Sequence, residues 1–275
     1  MDTYERKYSL PIERPVRVRS VERGENCLRV VSDQGTIEAK AVVSCTGTWN
    51  KPYFPEYPGR ESYRGHQLHS ALYVGPNDFT QKRVLIVGGG NSGAQILAEL
   101  STVAHCTWVT EREPTFLNDD VDGRVLFAIA TERYHAKQSG RSQDAVPPSL
   151  GDIVMVDSVK EARSRGVLKS VRPFSRMTET GVIWADGSEE SFDAVIWCTG
   201  FRPALDHLNA LGIHDDAGRI EVENTRAVKE PRLWLLGYGE WCGFGSATLI
   251  GVQRYARATA AEIQGHLKTD EDKQT

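Results

Sequence analysis

Residues 16–47, VRVRSVERGENCLRVVSDQGTIEAKAVVSCTG, alternate apolar and polar positions. Alternation at a period of two puts one face of a strand in a core and the other in water, so this stretch predicts a small antiparallel meander. Gly24-Glu25-Asn26 and Asp33-Gln34-Gly35 supply its turns. Residues 48–60, TWNKPYFPEYPGR, carry three prolines and read as a connector. At Arg83 the pattern changes. The apolar run RVLIV enters a glycine-rich turn, and Ile96, Leu97, Leu100 and Val103 then recur at helical spacing to about Ala104. A short strand, CTWVT, follows at 106–110, so the segment opens a β-α-β unit. Val125, Ile129 and Ala130 predict a helix over 125–137, and KQSGRSQDAVPPSLG behind it has the composition of a loop. A second meander is expected over 167–200, a strand in RLWLLGY (232–238), a helix from about Ala247 to His266, and a frayed tail in KTDEDKQT.

The two meanders resemble each other. LRVVSDQGTIEAKAVVSCTG (28–47) aligns without a gap to GVIWADGSEESFDAVIWCTG (181–200), pairing Asp33 with Asp186, Ala41 with Ala194, Val42 with Val195, and Cys45-Thr46-Gly47 with Cys198-Thr199-Gly200. Any two meanders share alternation, so coincidence is one explanation; the matched endings favour duplication. A duplicated meander implies two similar domains, each with its own nucleotide-binding β-α-β unit. One such unit is visible, and its counterpart is expected before Met1.

Composition narrows the setting. In 275 residues, 40% are hydrophobic and 25% charged, with a net charge of -4, which is ordinary for a soluble globular protein and offers nothing to a nucleic acid. The charged start MDTYERKYSL is unlike a signal peptide, and no apolar run reaches the roughly 20 residues of a bilayer span. A cytoplasmic protein without a membrane partner is expected. Cys27, Cys45, Cys106, Cys198 and Cys242 include no Cys-x-x-Cys, which argues against a zinc ribbon or dithiol centre and for buried, reduced thiols.

Gly88-Gly89-Gly90-Asn91-Ser92-Gly93 fits G-x-G-x-x-G between a strand and a helix. Gly88 permits the tight turn, Gly90 lets a pyrophosphate approach the backbone, and Gly93 lets the helix pack close to the strand. Amides at the helix start would then face phosphates. The end of the second strand carries conflicting signals: Glu111 suits a ribose 2′-hydroxyl, Arg112 a 2′-phosphate. Arg112, the one strong cation there, favours NADP. His66 and His69 lack further ligands for a metal, and Asp119-Asp120-x-Asp122 reads as a solvated acidic turn.

Four stretches resemble the flavin-containing monooxygenase superfamily. Tyr63-x-Gly65-x-x-x-His69-x-x-x-Tyr73 is similar to the signature that precedes that family's NADP loop. The two Cys-Thr-Gly turns resemble its Ala-Thr-Gly turns, and LWLLGYGEWCGFGSATLIG (233–251) resembles its last flavin-contacting segment, with Glu240 where aspartate is usual. DDVDGRVLF, GDIVMV and VIWCTGFRPALDHL are closest to flavoproteins of arsenic-resistance operons. The resemblance implies an α/β fold in which a Rossmann-like NADP-binding domain (59–203) is inserted into an incomplete FAD-binding domain (1–58 and 204–275). The implied cofactors are FAD and NADP. His69 and Ser70 would lie near the join, and Thr46, Gly47, Thr199, Gly200 and Glu240 would line the flavin side; no catalytic acid or base is implied. The implied reaction oxygenates a small soft nucleophile at the expense of NADPH. A nucleotide-binding remnant without stable FAD, and a flavin-dependent reductase, are the alternatives.

Overall fold

The computed structural model describes residues 2–121, 152–243, 245–249 and 251–272, with isolated positions 125, 128, 131, 132 and 139. The chain begins with helix α1 (Asp2–Lys7) and strands β1 (Val18–Arg23), β2 (Leu28–Ser32), β3 (Gly35–Ala39) and β4 (Val42–Ser44). Next come β5 (His66–His69), β6 (Arg83–Val87), α2 (Asn91–Leu100) and β7 (His105–Val109). Helix α3 (Asp157–Ser164) precedes β8 (Ser170–Val171), β9 (Arg176–Met177), β10 (Gly181–Ile183), β11 (Glu189–Ser191) and β12 (Ala194–Trp197). Strands β13 (Val222–Glu223), β14 (Arg226–Ala227) and β15 (Leu233–Leu235) lead to α4 (Val252–Asp272). Apart from Ser139, the loop expected over 137–151 falls outside the described residues, as does most of the helix expected over 125–137; Val125, Ala128, Thr131 and Glu132 are helical.

The chain divides into two compact units, one of residues 1–47 and 203–275, the other of 48–202. The first boundary differs from the expected 58. Residues 48–58 belong to the second unit because their backbone and rings are used there: Tyr53 N donates to Gly200 O at 2.9 Å, Met177 N to Pro58 O at 2.8 Å, and Tyr57 stacks on Phe174.

In the 48–202 unit, β5, β12, β6, β7 and β8 form a parallel sheet in that order. Strict alternation along β6 and β12 sends Val84, Ile86, Ala194 and Ile196 into one core with α2 and α3, and Leu85, Val87, Val195 and Trp197 into a second. The β9–β10–β11 meander covers the second face through Met177 and Val182, joined by Phe192 just after β11. A parallel strand buried on both faces reads as a continuous apolar run, as RVLIV and AVIW do. The 167–200 stretch is therefore not one meander: β8 and β12, at its two ends, belong to the parallel sheet.

In the other unit, β1–β2–β3 form the expected meander, while β4 pairs in parallel with β15. Its core gathers Val21, Leu28, Leu205, Leu208, Leu233 and Leu235. Helix α4 starts at Val252 rather than near Ala247. Gly245 and Gly251 hold the chain in a tight loop where a Cβ on Gly251 would stand 2.2 Å from Gly245 O, and Thr248 Oγ1 accepts from Gly251 N at 3.0 Å. At its far end α4 reaches Asp272, through much of the expected tail.

The two meander-plus-strand segments match in detail. Each is an antiparallel hairpin followed by a strand of a parallel pairing and a Cys-Thr-Gly turn whose glycine is left-handed (φ 63° at Gly47, 76° at Gly200). Each turn makes the same clasp. Thr46 Oγ1 donates to Ala204 O and Ala204 N donates back to Gly47 O; Thr199 Oγ1 donates to Tyr53 O and Tyr53 N donates back to Gly200 O. The hairpins differ by one residue in register, Leu28 facing Ala39 but Gly181 facing Ser191, because the second closes through a longer loop.

Candidate functional site

The five-stranded sheet places its site by strand order. From β6 the chain winds outward to β7 and β8, while β12 and β5 lie on the other side, so the direction reverses between β6 and β12. A parallel α/β sheet opens a crevice at the carboxyl ends of the strands where that reversal occurs. There, a cavity of about 670 Å³ is lined by Gly88, Gly89, Gly90, Glu111, Arg112, Thr199 and Gly200, with Tyr53 and Tyr57 on its wall.

Each glycine of the turn has its own reason. Gly88 adopts φ 133° and lies so close to β12 that a Cβ would stand 2.2 Å from Cys198 O. A Cβ on Gly93 would stand 2.2 Å from Gly88 O, the carbonyl that accepts from the buried Trp108 Nε1 at 2.8 Å. A Cβ on Gly90 would meet nothing within 4 Å. Gly90 is also the N-cap of α2 and brings no capping side chain, and Ala94 N is the first amide of the helix to bond back, to Gly90 O at 3.1 Å. The amides ahead of it have no acceptor within the helix and stand at the positive end of its dipole. An anion with room to approach backbone is what this cradle accommodates, so the residues fit the pyrophosphate of a dinucleotide.

Asn91 and Ser92 stand at the start of α2, where the motif places them against the cofactor. The Asn91 side chain is used within the protein instead. Its Nδ2 donates to Asp152 O at 3.3 Å and its Oδ1 accepts from Val154 N at 2.8 Å, pinning the 152–154 segment over the start of α2. Ser92 is exposed on the first turn. Glu111 and Arg112 are both exposed and both line the cavity.

Arg172, which the sequence pattern does not single out, does not itself line the cavity but bonds to Thr110 and Glu113, which do. Its Nη1 donates to Thr110 O at 3.1 Å and Oγ1 at 3.2 Å, and its Nη2 to Glu113 Oε2 at 2.6 Å. Nothing in its local pattern marks it; only the pairing of β8 with β7 brings it 62 positions back along the chain.

His69 and Ser70 do not line the cavity. The buried His69 ring donates from Nε2 to Gly200 O at 2.9 Å and accepts from Ala71 N at Nδ1, at 3.1 Å, so both nitrogens hold backbone next to the cavity. Ser70 opens a single 3-10 turn. The rest of the signature packs likewise. Tyr63 OH donates to Phe192 O at 2.7 Å, its ring lies where a Cβ on Gly65 would go, and Tyr73 OH donates to Glu99. Burial pushes the His69 imidazole below its usual range, against the bond to Gly200, which favours the charged form. The unfolded ring titrates near about 6.5. Between the folded and unfolded values the unfolded chain binds more protons, so this contribution is complete above about pH 6.5 and is lost as pH falls through the folded value. Urea midpoints measured from pH 7.5 to 5 should therefore decline more steeply for the unmodified protein than for His69→Gln; parallel curves would contradict this.

Thr199 and Gly200 share the cavity with the glycine-rich turn. In the other unit, Thr46 is committed on three sides: its amide donates to Tyr238 OH, its hydroxyl contacts the same oxygen, and it donates to Ala204 O. Its neighbour Gly47 has nothing within 4 Å of a would-be Cβ, so its backbone is uncovered on that side. Glu240 starts the 3-10 turn Glu240–Cys242. Of the thiols, Cys198 and Cys242 are buried, but Cys45, in the exposed part of the first Thr-Gly turn, is not.

The same turn and sheet recur in known proteins. The sequence profile described as pyridine nucleotide-disulphide oxidoreductase matches residues 1–144. An uncharacterized CzcO-like oxidoreductase of Geobacillus kaustophilus is 28% identical over 97% of this chain and 76% of its own. Human flavin-containing monooxygenase 2 is 31% identical over 67% of this chain, which spans 39% of that protein. A flavin-containing monooxygenase from Stenotrophomonas maltophilia superposes with a TM-score of 0.85 at 52% identity, over 96% of this chain and 74% of its own. With the glycine-lined cradle at the sheet's reversal point and a match of this extent, the chain belongs to the flavin-containing monooxygenase and pyridine nucleotide-disulphide oxidoreductase family, a family of NAD(P)H-dependent flavoprotein enzymes.

Proposed function

We propose that the chain is an FAD- and NADPH-dependent oxidoreductase of the monooxygenase type, acting on a small soft nucleophile such as an amine, a sulfide or a trivalent arsenical. The observation that carries this is the uncapped start of α2, where Gly90 leaves amides and open space facing the cavity. In this reading residues 48–202 form the NADP-binding domain and 1–47 with 203–275 the FAD-binding one. Amides of Gly89, Gly90, Ser92 and Gly93 bind the pyrophosphate. Gly88 sets the turn, and Asn91 holds the 152–154 segment that borders it. Arg112 binds the 2′-phosphate, while the neighbouring Glu111 disfavours it. Thr46, Gly47 and Glu240 are the flavin contacts of the FAD-binding unit, and in the NADP-binding unit His69 keeps the Thr199-Gly200 turn in place. When bound, NADPH supplies hydride and FAD the means to activate dioxygen. The chain's own residues orient the cofactors and exclude water, which asks for no acid or base among them. N-oxide-forming relatives from several mammals support the soft-nucleophile class.

The test is oxygen-dependent NADPH consumption by FAD-loaded protein, with and without trimethylamine, a dialkyl sulfide or arsenite. Consumption that rises with one of them, together with the oxygenated product, supports the reading. Oxidation indifferent to all three would make the protein a reductase. In the same assay Arg112→Ala should raise KM for NADPH about tenfold and leave KM for NADH within twofold, as loss of one charge-assisted contact requires. Equal losses would overturn the role given to Arg112.

A further inference from the structure

We infer that Arg172 is a second cation for a 2′-phosphorylated adenosine and that Glu113 competes with that phosphate for the same guanidinium; the inference rests on the NADPH reading above. Strand β8 runs parallel to β7, with Val171 beside Val109 and Thr110 N donating to Val171 O at 3.0 Å. Arg172 therefore leaves the sheet level with Thr110 and Glu111, where a dinucleotide fold of this type meets the adenosine ribose. Its Nη1 is fixed by two bonds to Thr110, whose side chain also borders the glycine turn: a Cβ on Gly89 would lie 3.3 Å from Thr110 Cγ2. One edge of the guanidinium is thus locked to the scaffold. The other edge points to Glu113, itself part of the cavity wall.

The Glu113 side chain is 82% exposed and that of Arg172 48%, so their ion pair is screened by water and contributes little. A phosphate dianion offers the same N–H groups more charge and a matching pair of oxygens. Arginine suits this exchange because its rigid fork keeps one edge on Thr110 while the other changes partner. A lysine could not hold both.

The experiment is calorimetric titration of the full chain with adenosine 2′,5′-bisphosphate and with 5′-AMP, neither of which can turn over. Arg172→Gln should weaken the bisphosphate at least tenfold and 5′-AMP less than twofold. Glu113→Gln, which keeps Arg172 and its bonds to Thr110, should tighten the bisphosphate two- to fivefold and leave 5′-AMP unchanged. If Arg172→Gln weakens both ligands equally, or leaves the bisphosphate unaffected, Arg172 only braces the loop and the proposal falls. A Glu113→Gln variant no tighter than the unmodified protein overturns the competition. An unmodified protein that binds neither ligand would instead remove the nucleotide site, a result distinct from these.

Discussion

Gly93→Ala should weaken dinucleotide binding about 100-fold and destabilise the 48–202 unit by about 3 kcal/mol, the upper end of what overpacking costs. A methyl group at this position would stand 2.2 Å from Gly88 O and 3.2 Å from both Gly88 C and Trp108 Nε1. The closest atoms it strikes are backbone, so no side chain can rotate away. Relief requires α2 to move off β6 or the Gly88 carbonyl to turn, and either breaks the 2.8 Å bond from Trp108, leaving a buried indole N–H without an acceptor. Either also moves the amides at the start of α2. Losing two charge-assisted bonds to phosphate costs roughly 3 kcal/mol, or about 100-fold in affinity. Calorimetry with NADPH and thermal unfolding read the two effects separately. Gly90→Ala is the control, because its Cβ meets no protein atom and should cost binding far more than stability. A Gly93→Ala protein with unchanged affinity would show that the turn does not hold the cofactor.

In the other unit the largest effect should come from Glu230→Gln, with a loss of about 3 kcal/mol, as when one partner of a buried ion pair is removed. Glu230 is 2% exposed. Arg23 Nε approaches its Oε2 at 2.9 Å and Arg232 Nε its Oε1 at 2.8 Å. Each arginine also reaches a carbonyl, Arg23 that of Leu211 at 2.8 Å and Arg232 that of Cys27 at 3.0 Å. The carboxylate therefore ties the meander to the strands around β15. Burial pushes its pKa up, but the bonds and charge of Arg232 and then Arg23 outweigh burial and hold it below the usual carboxylate range. A depressed folded value means the contribution is present above the unfolded value of about 4.3 and is lost as pH falls through the folded one. Urea denaturation at pH 7 and pH 3 should show a gap between the two proteins that shrinks in acid. Equal midpoints at pH 7 would refute the assignment.

The glycine turn was legible in sequence because its requirements are local. Gly88, Gly90 and Gly93 are dictated by one turn between one strand and one helix, and the apolar run before them reports a strand buried on both faces. The matched Cys-Thr-Gly endings likewise reveal a repeated unit, because each glycine must be left-handed where its strand ends. Roles of polar side chains were less legible. Asn91 sits inside the motif yet spends both ends of its amide on residues 152 and 154, and His69 spends both nitrogens on backbone. A motif names positions, but hydrogen-bond partners come from segments whose distance along the chain carries no signal.

Sequence alone thus determined where the strand-turn-helix cradle lies, that its backbone must stay bare, and that a second segment repeats the meander and its closing turn. Tertiary structure alone decided that β8 and β12 leave their meander for the parallel sheet, that residues 48–58 pack with the 48–202 unit, and that Arg172 arrives beside Thr110 and Glu113. The reason is physical: turn geometry and alternation are set by neighbours one to four residues apart, whereas strand order and side-chain pairing are set by which distant surfaces bury one another.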